Sequence, residues 1–349
     1  MRLFVLATAA AATLASGPQS GVGAGRPGAG PTAPRAVEQE AGSFADFLAG
    51  IRADALARGI RAEVVDEALA SVQEPQPVVI DRDRSQPETV LPLETYIDRQ
   101  VTRRAIRTGH EQFARHRRLL QRVERDFGVS PSIIVAIWGV ESKFGRVSGT
   151  NPIVPALATL AWDRRRGTYF RNELLDALEI VNRGDIDLDH LRGSWAGAMG
   201  QAQFMPSTYL AFAQDYDGDG RRDIWSSPGD VFASIANYLR AHGWTGHERW
   251  GREVSVGRAA ARRVAAIDRR DGTCSATREM TIARPLTEWR RMGVRLTSGR
   301  PLPRSRMPAS LVTGSKRSFL VYGNYDVLLE YNCATSYALS VGLLSDTIR

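Results

Sequence analysis

The feature that most constrains this chain is the run Ile133-Ile-Val-Ala-Ile-Trp-Gly-Val140, which is apolar on every side when wound at helical pitch. A surface helix keeps a polar stripe. This one has none, so it belongs at the centre of a helical bundle, covered all round. Ser130-Pro131 marks its start, with Ser130 at the N-cap and Pro131 at the first helical position, where a missing N–H is no loss. At its other end, Glu141 precedes Ser142-Lys143-Phe144-Gly145, so a carboxyl group emerges from a dry surface.

The rest of the chain must supply the cover. Phe44, Phe47, Leu48, Ile51, Leu56, Ile60, Val64 and Leu69 recur at helical spacing with a break at Gly59, which predicts two short helices. Residues 74–95 carry four prolines and predict an extended crossing segment. Helical pattern follows over 96–127, 153–161, 168–182 and 228–242. Glu253–Val256 and Arg278–Ile282 are β-prone, with a turn signal at Asp271-Gly272. The expected class is mainly α (α+β): an N-terminal helical region at 43–95, a core at 96–250, a small β-containing unit at 251–318 and a C-terminal segment at 319–349 completing the core.

Met1 to Ser16 combine one positive charge, a short apolar run and small residues, the pattern of a secretory signal peptide within residues 1–25. Residues 26–42, rich in Gly, Pro and Ala, then read as a flexible linker. The apolar run is short for a bilayer span. No lipidation box follows it, because Cys274 and Cys333 are the only cysteines. An exported, non-lipidated protein without stable membrane insertion is the expectation. The formal charge of +8 comes almost wholly from arginine, Lys143 and Lys316 being the only lysines. Scattered arginines fit a polyanionic partner, and equally a set of solvated faces. Neither cysteine has a Cys-x-x-Cys partner and the five histidines form no ligand-spaced cluster, which argues against zinc. The two cysteines could pair in an oxidising compartment; spacing leaves that open.

Three segments carry chemistry. Burial of Glu141 would raise its pKa, and a carboxylic acid still protonated near neutrality can protonate a departing glycosidic oxygen. The same spacing fits a structural pairing with Lys143. Gly193 to Ser207 joins small residues to Ser194, Gln201 and Gln203, with Trp195 and Phe204 as stacking surfaces. It could read sugar hydroxyls, or it could be a packed loop entering a helix at Pro206. Asp215, Asp217, Asp219 and Asp223 fall at positions 1, 3, 5 and 9 of an EF-hand-like loop with Gly220 at its turn. Position 12 is Ser226 rather than Glu. Asp230 could supply the missing ligand, although Ser227-Pro-Gly-Asp230 also reads as a capping box, and an ion-free acidic turn fits as well.

Taken together, Gln86-Pro-Glu88, Ile137 to Gly145, Gly193 to Ser207, Asp215 to Trp225 and Phe319 to Asp346 resemble the lytic murein transglycosylase B family, glycoside hydrolase family 103. The resemblance implies a lysozyme-like helical core. It implies cleavage of the β-1,4 bond between N-acetylmuramic acid and N-acetylglucosamine in peptidoglycan, with 1,6-anhydro ends. Glu141 would be the sole acid and base, in line with the lack of a second acidic residue fixed beside it by spacing. Ser194, Gln203, Tyr331, Asn332 and Tyr337 match sugar-contacting positions, with Tyr96 a further carry-over. Asp215, Asp217, Asp219 and Asp230 match calcium ligands, with Arg221 contributing a backbone oxygen, so the implied cofactor is a structural Ca²⁺ with no organic group. The implied partner is the glycan strand, bound by a periplasmic monomer that takes no nucleic acid. Cys333 directly follows Asn332 and departs from the family pattern; a disulfide to Cys274 would brace the cleft. The rival readings are a hydrolytic muramidase of similar fold and a non-catalytic wall-binding protein.

Overall fold

The computed structural model describes residues 43–84, 91–163 and 166–348. The signal peptide, the linker and the Gln86-Pro-Glu88 match lie outside the described residues. The central helix is Pro131–Ser142, with every side chain from Ile133 to Trp138 buried. Ser130 holds the N-cap position without a side-chain cap bond, so Pro131 alone marks the start. Helices Arg103–Arg115, Arg117–Phe127, Pro228–Ala241 and Thr335–Thr347 pack around it. Full burial contributes about 1.5–3 kcal/mol for each large aliphatic side chain, which is why this segment organises its neighbours.

Helices Ile153–Trp162 and Gly167–Asn182 form a second layer, and the N-terminal helices Phe44–Ala57 and Ala62–Ala70 pack on it. Gly59, at φ +83°, makes the turn between those two. Phe44 and Phe47 meet Trp162 edge-on at 5.5 and 5.4 Å. One continuous apolar core runs from Ile51 to Ile348, so the N-terminal helices share it and form no separate unit.

Residues 74–95 differ from the extended reading: Pro77–Arg84 and Leu93–Gln100 are helices. Pro77 opens the first and Pro92 caps the second, positions where proline is tolerated. Counting prolines as breakers missed this. The β-prone Arg278–Ile282 is not a strand either. Ser275–Glu279 is a short helix, and strand-like pairing is confined to the bridge between Arg269 and Thr281 and the Thr281 N–H donating to the Leu311 carbonyl.

The sheet itself is antiparallel, in the order Arg284–Pro285, Pro308–Thr313, Ser318–Val321, Gly251–Ser255, Arg295–Leu296. Ser318–Val321 is its central strand and straddles the 318/319 boundary read from sequence. Alternation explains its place: Phe319 and Val321 face the helical core, while Leu320 and Tyr322 face a second small core around Trp289 and Leu311. The two cores are thus joined through one strand.

Cys274 and Cys333 are bonded, with Cα atoms 5.7 Å apart across a sequence separation of 59. Closing a loop of that size removes unfolded-state entropy equivalent to about 4 kcal/mol. The double Cys274→Ser/Cys333→Ser variant is therefore expected to melt several degrees below the oxidised protein, measured by circular dichroism. A reductant should lower the oxidised protein towards it. Coincident melts would show that the bridge carries no stability.

Candidate active site

Glu141 lies in the last turn of the central helix, and the turn after it is unusual. The Lys143 N–H donates to the Gly139 carbonyl at 3.0 Å and the Phe144 N–H to that of Trp138 at 3.3 Å. Lys143 and Phe144 have φ of 51° and 60°, left-handed values that cost non-glycine residues on the order of 1–3 kcal/mol each. Packing offsets the strain. Phe144 is buried against Trp138 at 5.8 Å, and a Cβ on Gly139 would lie 2.6 Å from the Phe144 ring. Ser142 Oγ donates to the Trp138 carbonyl and accepts from the Gly145 N–H.

Gln201 ties this turn to the Gly193–Ser207 loop. Its Oε1 accepts from Trp138 Nε1 at 2.7 Å and its Nε2 donates to the Trp225 carbonyl at 2.6 Å. The small residues of the loop let it pack on itself: a Cβ on Gly193 would meet the Ala198 carbonyl oxygen at 2.0 Å. Ser194 Oγ accepts from the Ala198 N–H at 3.0 Å. Gln203, at φ 50°, donates from Nε2 to the Ser148 and Gly200 carbonyls at 3.0 and 2.9 Å. Its side chain is thereby fixed, and its Oε1 has no hydrogen bond among the described residues. Pro206 opens the helix Pro206–Phe212.

Glu141, Ser194, Gln203, Tyr331 and Asn332 line one cleft. The loop contributes Trp195 and Phe204 to it, and the helices contribute Thr208, Tyr238 and Glu330. Tyr331 ends the helix Gly323–Tyr331 and donates from its hydroxyl to the Ala202 carbonyl at 2.7 Å. Its ring stacks on Tyr337 at 6.3 Å. Asn332 Oδ1 is buried and accepts no hydrogen bond among the described residues. Tyr96 and Tyr337 are not on the cleft lining. Tyr337 is buried in the helix Thr335–Thr347, and Tyr96 sits in Leu93–Gln100. Both lie close enough to Glu141 to feel its charge.

The electrostatics follow from burial. Burial pushes the Glu141 carboxyl up to about 7, and the Tyr337 hydroxyl draws it part of the way back. Burial and then the Glu141 charge hold the Tyr331 and Tyr337 hydroxyls well above their usual range, so both stay protonated. Lys143 is exposed and forms no ion pair with Glu141 among the described residues. The arrangement keeps a lone proton on Glu141 near neutrality, facing a cleft rich in amide, hydroxyl and aromatic groups.

Sequence reading missed Glu330, Tyr238 and Thr208. Tyr238 lies in the helix Pro228–Ala241, and its hydroxyl donates to the Glu330 carbonyl at 2.6 Å. Only the adjacency of Glu330 to Tyr331 could have hinted at its place.

The acidic loop lies between helices Pro206–Phe212 and Pro228–Ala241. Oxygens of Asp215, Asp217 and Asp230 converge within 4.8 Å of one another, a span one hard cation with ligands at roughly 2.3–2.6 Å can bridge. Asp219 is outside that trio, its Oδ1 accepting from the Arg221 N–H at 2.8 Å. Ser227 Oγ accepts from the Asp230 N–H, but the Asp230 carboxylate turns into the loop, accepting from the Tyr216 and Asp223 N–H groups at 2.8 and 2.7 Å. The capping box is therefore half formed. Burial first, opposed by those bonds, then the nearby Asp217 charge, push Asp230 up to about 6. A bound cation would offset both causes, so the donor set fits a hard ion.

Comparison with known proteins places these features in one lineage. The chain is 48% identical to membrane-bound lytic murein transglycosylase B of Escherichia coli over 126 residues, 36% of this chain and 35% of that protein, so it spans about a third of the curated relative it matches. SltB3 from Pseudomonas aeruginosa, solved in complex with NAG-anhNAM-pentapeptide, superposes with a TM-score of 0.78 at 41% identity, covering 87% of this chain and 79% of that one. An Escherichia coli lytic transglycosylase solved in complex with calcium gives a TM-score of 0.70 at 28% identity, covering 86% and 91%. A transglycosylase SLT domain model matches residues 43–346, and the chain belongs to that family.

Proposed function

We propose that this protein is a lytic transglycosylase that cuts the β-1,4 bond between N-acetylmuramic acid and N-acetylglucosamine in peptidoglycan. The observation that carries the reading is the Glu141 carboxyl, pushed by burial up to about 7 at the wall of a cleft lined by amide, hydroxyl and aromatic groups. The protonated acid gives its proton to the glycosidic oxygen as the bond to C1 breaks. The carboxylate then takes the proton of the muramoyl C6 hydroxyl while that oxygen bonds to C1, closing a 1,6-anhydro ring with no water consumed. Ser194, Gln203 and Asn332 bind sugar polar groups, and Tyr331 offers a ring face. Tyr337 and Tyr96 act from behind the lining by setting the Glu141 environment. The anhydro sugar in the ligand of the SltB3 relative supports this outcome.

Glu330 gives the hydrolytic alternative a specific form, because it is a second carboxylate on the cleft wall that could activate a water. Digestion of purified sacculi followed by mass spectrometry separates the two. Anhydro ends, abolished by Glu141→Gln and retained by Glu330→Gln, are expected. Reducing ends lost in Glu330→Gln would establish hydrolysis.

The raised Glu141 pKa also fixes two pH dependences. Turnover needs the acid form in the free enzyme, so kcat/KM should fall as pH rises through about 7. Stability runs the same way. A carboxyl whose folded value lies above its unfolded value of 4.5 costs stability progressively from that pH to about 7 and fully above it. Glu141→Gln should accordingly melt higher than the parent at pH 8 and at nearly the same temperature at pH 4.5. An equal difference at both pH values would refute the burial argument.

We also propose that Asp215, Asp217, Asp219 and Asp230, with the Arg221 backbone oxygen, hold a structural Ca²⁺. The convergent oxygens and the calcium complex of a relative support it. At a hundredfold excess over Kd, Ca²⁺ should stabilise the native state by about 2.7 kcal/mol, read as a melting shift that Asp230→Asn removes. Unchanged melts with Ca²⁺ and with chelator would sink the site. Export to the periplasm is proposed on the Met1–Ser16 pattern. Among the described residues no helix is long and apolar enough to cross a membrane.

A further inference from the structure

Helices Arg103–Arg115 and Arg117–Phe127 meet at His116, which ends one and caps the other. Between 103 and 125 the chain carries eight arginines against Glu111 and Glu124, a formal +6 in a chain whose total is +8. All eight are exposed, while Leu120 and Val123 on the opposite side are buried. Eight of the 44 arginines are thus gathered on the solvent sides of these two consecutive helices. Arg107–Glu111, at 3.9 Å, is the single ion pair on it among the described residues. Arg115, Arg117, Arg118 and Arg122 line a shallow hollow together with His116. The imidazole meets Trp138 at 5.9 Å and Phe232 at 5.3 Å, both edge-on, so His116 ties the hollow to the helix that carries Glu141. Burial and the Arg115 charge lower its pKa, and the arginines supply the charge.

Such crowding of like charge opposes folding unless an anion meets it. Arginine forks also match carboxylates in a bidentate way that lysines do not. Among the described residues the exposed large apolar side chains are Val78 and Val147, neither within 103–125, so the face offers no wedge for a lipid surface. We propose that this arginine face docks the carboxylate-bearing stem peptides of neighbouring peptidoglycan strands and holds the enzyme on its polymer independently of the cleft. The inference rests on the peptidoglycan reading given above. A stem-bearing ligand in the SltB3 relative shows that such peptides reach proteins of this fold.

The test uses the Glu141→Gln protein pelleted with intact sacculi, alone and with Arg115, Arg117, Arg118 and Arg122 all changed to Gln or all to Lys. The Gln set should weaken binding about tenfold at low salt, the Lys set much less, since charge is kept while the fork is lost. The difference should vanish at 1 M salt, where the screening length is about 3 Å. Sacculi stripped of stems by an amidase should bind all three proteins alike. Equal binding of the Gln set and the parent to intact sacculi would overturn the proposal, as would a larger loss on anionic phospholipid vesicles than on sacculi. Docking that persists while wild-type protein releases no fragments would support this surface and refute the cleavage reading, so the two failures are distinguishable.

Discussion

The structure depends on withholding water from one carboxyl group. Burial pushes the Glu141 carboxyl up to about 7, and the helix that carries it has no polar stripe from Ile133 to Val140, so that helix demands cover from every direction. Four helices drawn from residues 103–127, 228–241 and 335–347 provide it. The bundle is therefore both the solution to an insoluble helix and the source of the acid's chemistry. Separating the two is not feasible, because any polar stripe that eased folding of the helix would hydrate the carboxyl and return it to an ordinary acid.

Holding the acid in place costs backbone strain, and the strain is confined. Lys143, Phe144 and Gln203 are the non-glycine residues with positive φ among the described residues, and they bracket the cleft. Each is over-determined by neighbours: Phe144 by Trp138, Gln203 by two backbone carbonyls, and the whole turn by Gln201 reaching from Trp138 to Trp225. Gln201 touches the site from behind, so its importance is to the angle at which Glu141 enters.

What could be read in the sequence was whatever depended on local order. The Ile133–Val140 run, the Gly59 break, the spacing of the acidic loop and the start at Pro131 are one-dimensional signals, and the helices follow them. Residues 74–95 misled because proline has opposite meanings inside a helix and at its first turn. Arg278–Ile282 misled because β-branched residues at 281 and 282 look the same whether they pair along a ladder or at a single bridge. Glu330 and Tyr238 were invisible for a different reason: 92 residues separate them, and nothing local records that the Tyr238 hydroxyl finds the Glu330 carbonyl.

The same logic explains why the far rim of the cleft needs a tie. Tyr331 and Asn332 come from the end of the chain, and the segment that brings them passes first through the strand Ser318–Val321, whose two faces belong to different cores. A strand fixed on both faces has no register freedom, because a slip of one residue would exchange Phe319 with Leu320 between the cores. The disulfide at Cys333 then pins the residue next to Asn332 to the short helix at Ser275, and Arg270 pairs with Asp326 at 2.8 Å one helix length earlier. The small β unit thus reaches the chemistry without lining the cleft, by fixing where the last helix pair begins.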